Sequence, residues 1–158
     1  MTTIEKIVTE CLEKHEGGAE YFDLLDSKFR ETKNQDLVNN LLENVQTKLI
    51  VVTGEFGKVI LENHLAGNSP DNIEEVIWVN GGLRKSDKII KTITSGVTSL
   101  RYRKYTFVDD SYYSGNTFNT IKKHLFYNYD MNCDIIQVLY DGSLEIDNKV
   151  VSFYRYHK

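Results

Sequence analysis

Proline is almost missing from this sequence. Pro70 is the only one in 158 residues, so no proline-rich linker divides the chain, and with no repeat or low-complexity tract a single domain, 1–158, is expected. That length gives room for one sizeable core. Cysteine is nearly as scarce: Cys11 and Cys133 stand far apart, match no metal or redox spacing, and are expected as reduced thiols in a cytoplasmic protein. Long apolar runs are missing too. The opening MTTIEKIVTECLEKHE carries charge throughout, so neither a signal peptide nor a membrane span is expected. A net charge of −4 gives no global attraction to nucleic acid or membrane. The four histidines, His15, His64, His124 and His157, share no spacing that suggests a metal site or a Ser/His/Asp arrangement.

What the chain has is periodicity that changes along its length. Residues 1–48 read as three amphipathic helices: Ile4, Ile7, Val8, Cys11 and Leu12, then a helix over 19–32, then one over 35–46. This segment is acidic, with 10 acids against 6 bases over residues 1–50, and it is open to reading as a solvated outer layer, a hood over a site or a homodimer contact. From Leu49 the pattern turns to alternating strands and helices: strand 49–53, helix 58–66, strand 74–80, strand 102–109, helix 117–129, strand 133–140. Alternation predicts an α/β fold with a largely parallel sheet over 49–140, its ligand outside the carboxyl ends of the strands. Asp141-Gly142 and Asp147-Asn148 are turn signals, and 141–158 reads as a terminal β-hairpin.

The stretch with most chemistry is Tyr105–Thr117, YTFVDDSYYSGNT. An apolar strand ends in Asp109 and Asp110, and a loop, Ser111, Tyr112, Tyr113, Ser114, Gly115, Asn116 and Thr117, opens the following helix. Such a loop offers backbone N–H groups, hydroxyls and the positive end of a helix dipole to a phosphate, and Gly115 lets the backbone approach closely. The two acids suit sugar hydroxyls or Mg²⁺ rather than the phosphate itself. The plain alternative is a strand and helix of another α/β protein with solvated acids at the strand end.

A second loop, Gly54, Glu55, Phe56, Gly57 and Lys58, follows the first core strand. It lacks the spacing of a nucleotide P-loop, so an anion site or an ordinary turn with a surface lysine are the two readings. Between residues 81 and 104, seven basic residues, among them Arg84, Lys85 and Lys88, stand against the single acid Asp87. This is the composition of a loop that folds over a polyphosphate, or else of a solvated face with a short helix at 87–94. Nucleic-acid binding through Arg101–Tyr105 is a further reading, although that run leads into a core strand.

In the order strand, two acids, two variable residues, then small residues, Gly and Thr, residues 108–117 resemble the phosphoribosyl pyrophosphate motif of type I phosphoribosyltransferases. The resemblance implies the phosphoribosyltransferase fold, ribose contacts from Asp109 and Asp110, a 5′-phosphate held by 111–117, a pyrophosphate loop at 54–58 and a basic catalytic loop that includes Arg84, Lys85 and Lys88. It also implies Mg²⁺ carried with the substrate and a small-molecule nitrogen acceptor, such as a nucleobase. Tyr113 stands where 6-oxopurine enzymes of that family carry an acid. The family also contains regulators that bind phosphoribosyl pyrophosphate without turning it over, so a non-catalytic sensor is the second function class.

Overall fold

The computed structural model describes residues 2–15, 18–80, 92–95 and 102–155. Helices α1 (Thr3–Lys14), α2 (Gly18–Arg30) and α3 (Gln35–Glu43) come first, with a 3₁₀ turn at Thr32–Asn34 before α3. The Thr2 hydroxyl starts α1 by accepting the Glu5 amide at 3.2 Å, satisfying one of the donors that a helix start leaves over. Then follow β1 (Leu49–Thr53), α4 (Gly54–Leu65), β2 (Glu75–Asn80), β3 (Thr92–Ser95), β4 (Lys104–Tyr112), α5 (Asn116–Tyr129), β5 (Asn132–Asp141) and β6 (Val150–Arg155).

The strands form one sheet in the order β3-β2-β1-β4-β5-β6. Five of them run parallel, and β3 lies antiparallel along β2 at one edge. The largely parallel α/β sheet expected from the alternation is therefore present. Strand β1 is buried along its whole length, as its unbroken run of Leu, Ile and Val requires of a central parallel strand. Its side chains alternate between two cores. Ile50 and Val52 join Val108 and Leu139 under α1–α4, while Leu49 and Val51 join Phe107 and Val138 under α5. The chain leaves β1 through α4 towards β2 and leaves β4 through α5 towards β5, in opposite directions along the sheet. Right-handed crossovers then put the two helices on opposite faces. Each fully buried Val, Leu, Ile or Phe in these layers contributes about 1.5–3 kcal/mol.

Four expectations need correction. The terminal hairpin is absent: residues 144–146 form no strand, and β6 runs parallel to β5, pairing Ile136 with Val150 and Asp141 with Arg155. The buried Asp141 is the reason, since it accepts the Ser143 amide at 2.9 Å and the Ser143 hydroxyl at 2.6 Å, and Arg155 Nε lies 3.6 Å from it. These contacts tie the end of β6 to the end of β5. The loop expected at 54–58 is helical, because α4 begins at Gly54, immediately after β1. The loop expected at 111–117 shrinks to Tyr113–Gly115: Ser111 and Tyr112 pair with Tyr140 and Asp141, and Asn116 and Thr117 are already in α5. Of the alternative helix at 87–94, the described residues 92–94 belong instead to β3, paired with Val79 and its neighbours.

Candidate functional site

Between β1 and β4 the connections diverge, and such a switch point opens a crevice at the carboxyl ends of the strands. Two helices start there: α4 directly after Thr53, and α5 after Gly115. The two stretches singled out as anion loops are thus the two that the topology brings to this crevice.

Gly115 caps α5 with a φ of +78°, a left-handed conformation in which a side chain is strained. A Cβ there would also meet the Tyr112 hydroxyl at 2.6 Å, so this turn accepts only glycine without rearrangement. The Ser114 hydroxyl accepts the Asn116 amide at 3.3 Å. The amides that follow in the first turn of α5 have no carbonyl partner inside the helix, and with the helix dipole they favour an anion. Ser114 and Asn116 are exposed, and Thr117 is half-buried.

The acids at the end of β4 differ from one another. Asp110 is 7% exposed, whereas Asp109 is intermediate. Asp109 Oδ1 accepts the Asp110 amide at 2.8 Å, and the Ser111 hydroxyl donates to Asp110 Oδ1 at 3.2 Å. Asp26, on α2, is a third acid whose charge bears on Asp110. Burial first, then the charges of Asp109 and Asp26, push Asp110 well above the usual carboxylate range. Burial raises Asp109 to about 7, against the lowering effect of its hydrogen bonds from Asp110. Asp26 is raised as well, chiefly by burial, although Arg30 Nε donates to it at 3.1 Å; the nearby Glu55 adds to the rise. The three acids thus bear on one another, and Arg30 pairs with Asp26.

Tyr113 turns away from the loop into the helical layer. Its hydroxyl lies 2.7 Å from that of Tyr21, and its ring meets Phe22 at 4.7 Å and Tyr140 at 5.5 Å, both edge-on. Gly142 leaves the room for this, since a Cβ there would run into the Tyr113 ring.

In the first turns of α4, Gly54 and Glu55 are exposed, while Phe56 and Gly57 face the core. Lys58 is exposed, and its ammonium lies 5.9 Å from the Trp78 ring centre on β2, the side of β1 away from the acids. Trp78 also donates its indole N–H to the Gly54 carbonyl at 2.9 Å, fixing the start of α4. Arg84, Lys85 and Lys88 lie outside the described residues. The sequence reading missed Tyr21, Asp26 and Arg30. The spacing of Asp26 and Arg30 marked an ion pair on a helix, but nothing in it indicated that the pair meets β4.

No family model matches the chain, and no curated protein does so either. Among solved structures the chain is similar to a hypoxanthine phosphoribosyltransferase from Staphylococcus aureus, with 16% identity over 98% of this chain and 75% of that one, and a TM-score of 0.49.

Proposed function

We propose that the chain binds 5-phosphoribosyl pyrophosphate and transfers its phosphoribosyl group to a nitrogen acceptor, a nucleobase by the resemblance of its motif, releasing pyrophosphate. One observation carries this reading: the glycine-capped start of α5, the acid pair that precedes it and the start of α4 meet at the switch point of the sheet. In this reading the 5′-phosphate sits on the amides and hydroxyls of 114–117. Asp109, with Asp110 behind it, accepts the ribose hydroxyls and faces the positive charge that develops at the anomeric carbon. The bond from that carbon to pyrophosphate oxygen breaks as the bond to the acceptor nitrogen forms, and the nitrogen loses its proton to solvent. The start of α4 and the basic residues Arg84, Lys85 and Lys88 would receive the leaving pyrophosphate.

Magnesium fits such a site as a companion of the substrate. Among the described residues no three His, Cys, Asp or Glu side chains are arranged to hold an ion by themselves, so the ion would take its oxygens mainly from pyrophosphate and ribose. When bound it would neutralise charge on the leaving group.

One observation favours a second reading, a protein that binds this ligand without turnover. Tyr113 is committed to packing with Tyr21, Phe22 and Tyr140, so the motif offers no acid or base at that position. A thermal melt with Mg²⁺ and phosphoribosyl pyrophosphate tests binding, since ligand at a hundredfold over its Kd stabilises by about 2.7 kcal/mol. Pyrophosphate release with a panel of bases then separates enzyme from sensor. If the native chain shows no shift and a folded Thr117→Ala variant behaves identically, both readings fall.

A further inference from the structure

Between the end of α3 and strands β4, β5 and β6 lies a cavity of about 230 Å³. Its lining residues Thr106 and Ile135 pair near the starts of β4 and β5, whereas the glycine-capped turn follows the end of β4. The cavity is therefore at the other end of the strands from the crevice. Its polar groups present mainly acceptors. Gln137 is 5% exposed and donates its Nε2 to the Leu41 carbonyl at 2.9 Å, while no described residue donates to its Oε1. The Thr47 hydroxyl donates to the Leu49 carbonyl at 2.7 Å, so the hydrogen in its 2.7 Å contact with Thr106 comes from Thr106, whose oxygen keeps only lone pairs. Asn44 ends α3, donates its Nδ2 to the Asn40 carbonyl at 2.7 Å and keeps Oδ1 as an acceptor. Asp134 adds a carboxylate. A buried acceptor without a donor costs free energy, and a single water supplies only two hydrogens. Acceptors on four side chains round one cavity call for a ligand with several N–H groups.

Charge points the same way. Asp134 is an acid, the carboxyl end of α3 brings the negative end of the helix dipole to Asn44, and among the described residues that line the cavity none is basic. Ile135, Val151 and Phe153 supply apolar wall. We propose that this cavity binds a small organic cation: an amidinium or guanidinium group on a short apolar body, its N–H groups meeting Asp134 and the oxygens of Gln137, Thr106 and Asn44. Such a flat cation carries donors along more than one edge and suits a carboxylate in a forked pair. The volume is below the roughly 300–1,000 Å³ usual for pockets that take drug-sized ligands, so the occupant is a small one. The site stands whether or not the chain binds phosphoribosyl pyrophosphate.

Benzamidine is the probe and benzamide its uncharged counterpart, titrated at pH 7 into the native chain, Asp134→Asn and Val151→Trp while nitrogen-15 amide spectra are recorded. Asp134 and Val151 are both exposed, so the variants are expected to fold, which a thermal melt checks. Benzamidine should bind the native chain saturably, shifting the Gln137 side-chain amide and the backbone signals of 134–137 and 151–153 while those of 114–117 stay in place. Asp134→Asn should raise the Kd about tenfold, the loss of a hydrogen bond to a charged group. Benzamide should bind the native chain at least about tenfold more weakly than benzamidine, for the same reason. Val151→Trp, which fills the cavity, should abolish saturable binding. A native chain whose signals at 134–137 and 151–153 do not respond saturably would overturn the proposal. Equal affinity for benzamidine and benzamide would do so as well, since the site would then not select charge. An unchanged Kd in Asp134→Asn, or in a folded Val151→Trp, would place the bound cation elsewhere and overturn it too.

Discussion

Replacing Asp110 by asparagine should make the protein more stable at neutral pH and nearly neutral in effect under mildly acidic conditions. Asp110 is 7% exposed, and its pKa lies well above the usual value of 3.8. Folding thus tightens the hold of this carboxyl on its proton. The sign follows from linkage: a carboxyl raised on folding gives stability that is complete below about pH 4 and declines as pH climbs through its folded pKa. Each pH unit over which a folded carboxyl keeps a proton that the unfolded chain has released costs about 1.4 kcal/mol, and Asp110 loses stability in this sense as pH rises from about 4. Asp109, raised to about 7, contributes a loss of the same sign over the same interval. Asparagine has no proton to hold. Urea unfolding of both chains at pH 5, 6, 7 and 8 gives the difference directly. The advantage of Asp110→Asn should grow as pH rises from 5 to 7. Titrating groups remote from the acids are common to both chains and cancel in the difference, whereas Asp109 and Asp26, whose pKa values respond to Asp110, remain part of it. Two stability curves running parallel across that range would refute the raised pKa of Asp110.

Gly115→Ala combines a left-handed backbone of φ +78° with a clash against the Tyr112 hydroxyl at 2.6 Å, and should cost about 1–3 kcal/mol in a urea melt. Tyr21→Phe and Tyr113→Phe, made singly and together, should show a coupling of about 0.5–1.5 kcal/mol, because each single change leaves the partner's hydroxyl with one bond fewer; strict additivity would mean that the 2.7 Å contact carries no energy. Gln137→Leu removes the donor that meets the Leu41 carbonyl at 2.9 Å and holds the end of α3 on β5, so a loss of about 1–3 kcal/mol is expected by chemical denaturation. Cys133, pushed by burial to about 11, should react with iodoacetamide at pH 8 far more slowly than a small free thiol.

The β/α part of the fold was legible because a buried parallel strand needs a short unbroken apolar run. Leu49–Val52 and the run from Cys133 to Tyr140 have little else to be. Helix periods were as clear in residues 1–48, where the buried stripe Ile4, Ile7, Val8 and Cys11 follows the expected spacing. Strand ends were less legible. The reading ended this strand at its acids, yet β4 continues through Asp109 and Asp110 to Tyr112, because Ser111 and Tyr112 still pair with Tyr140 and Asp141 of β5. The hairpin was misjudged for a related reason. Asp141-Gly142 has the composition of a tight turn, but Asp141 spends its acceptors on Ser143 and faces Arg155, contacts that form only once β6 lies parallel to β5.

The same limit explains why Asp26 escaped notice. A carboxylate on an amphipathic helix, four residues before an arginine, is satisfied by its own helix, and sequence alone gives it no further task. Its task arises from where α2 packs. Leu25 and Phe29 sit in the core shared with Val108 and Leu139, and from this layer the charge of Asp26 bears on Asp110. The site is therefore specified by two kinds of information at different ranges. The glycine-capped turn at Ser114–Thr117 is local and could be read from ten consecutive residues. The pKa values of the acids are set first by burial and then in part by Asp26, which precedes them in the chain by more than eighty residues, and sequence patterns do not encode charge effects at that distance. Substitution of Asp26 should therefore change how the acids titrate while leaving the glycine-capped turn intact.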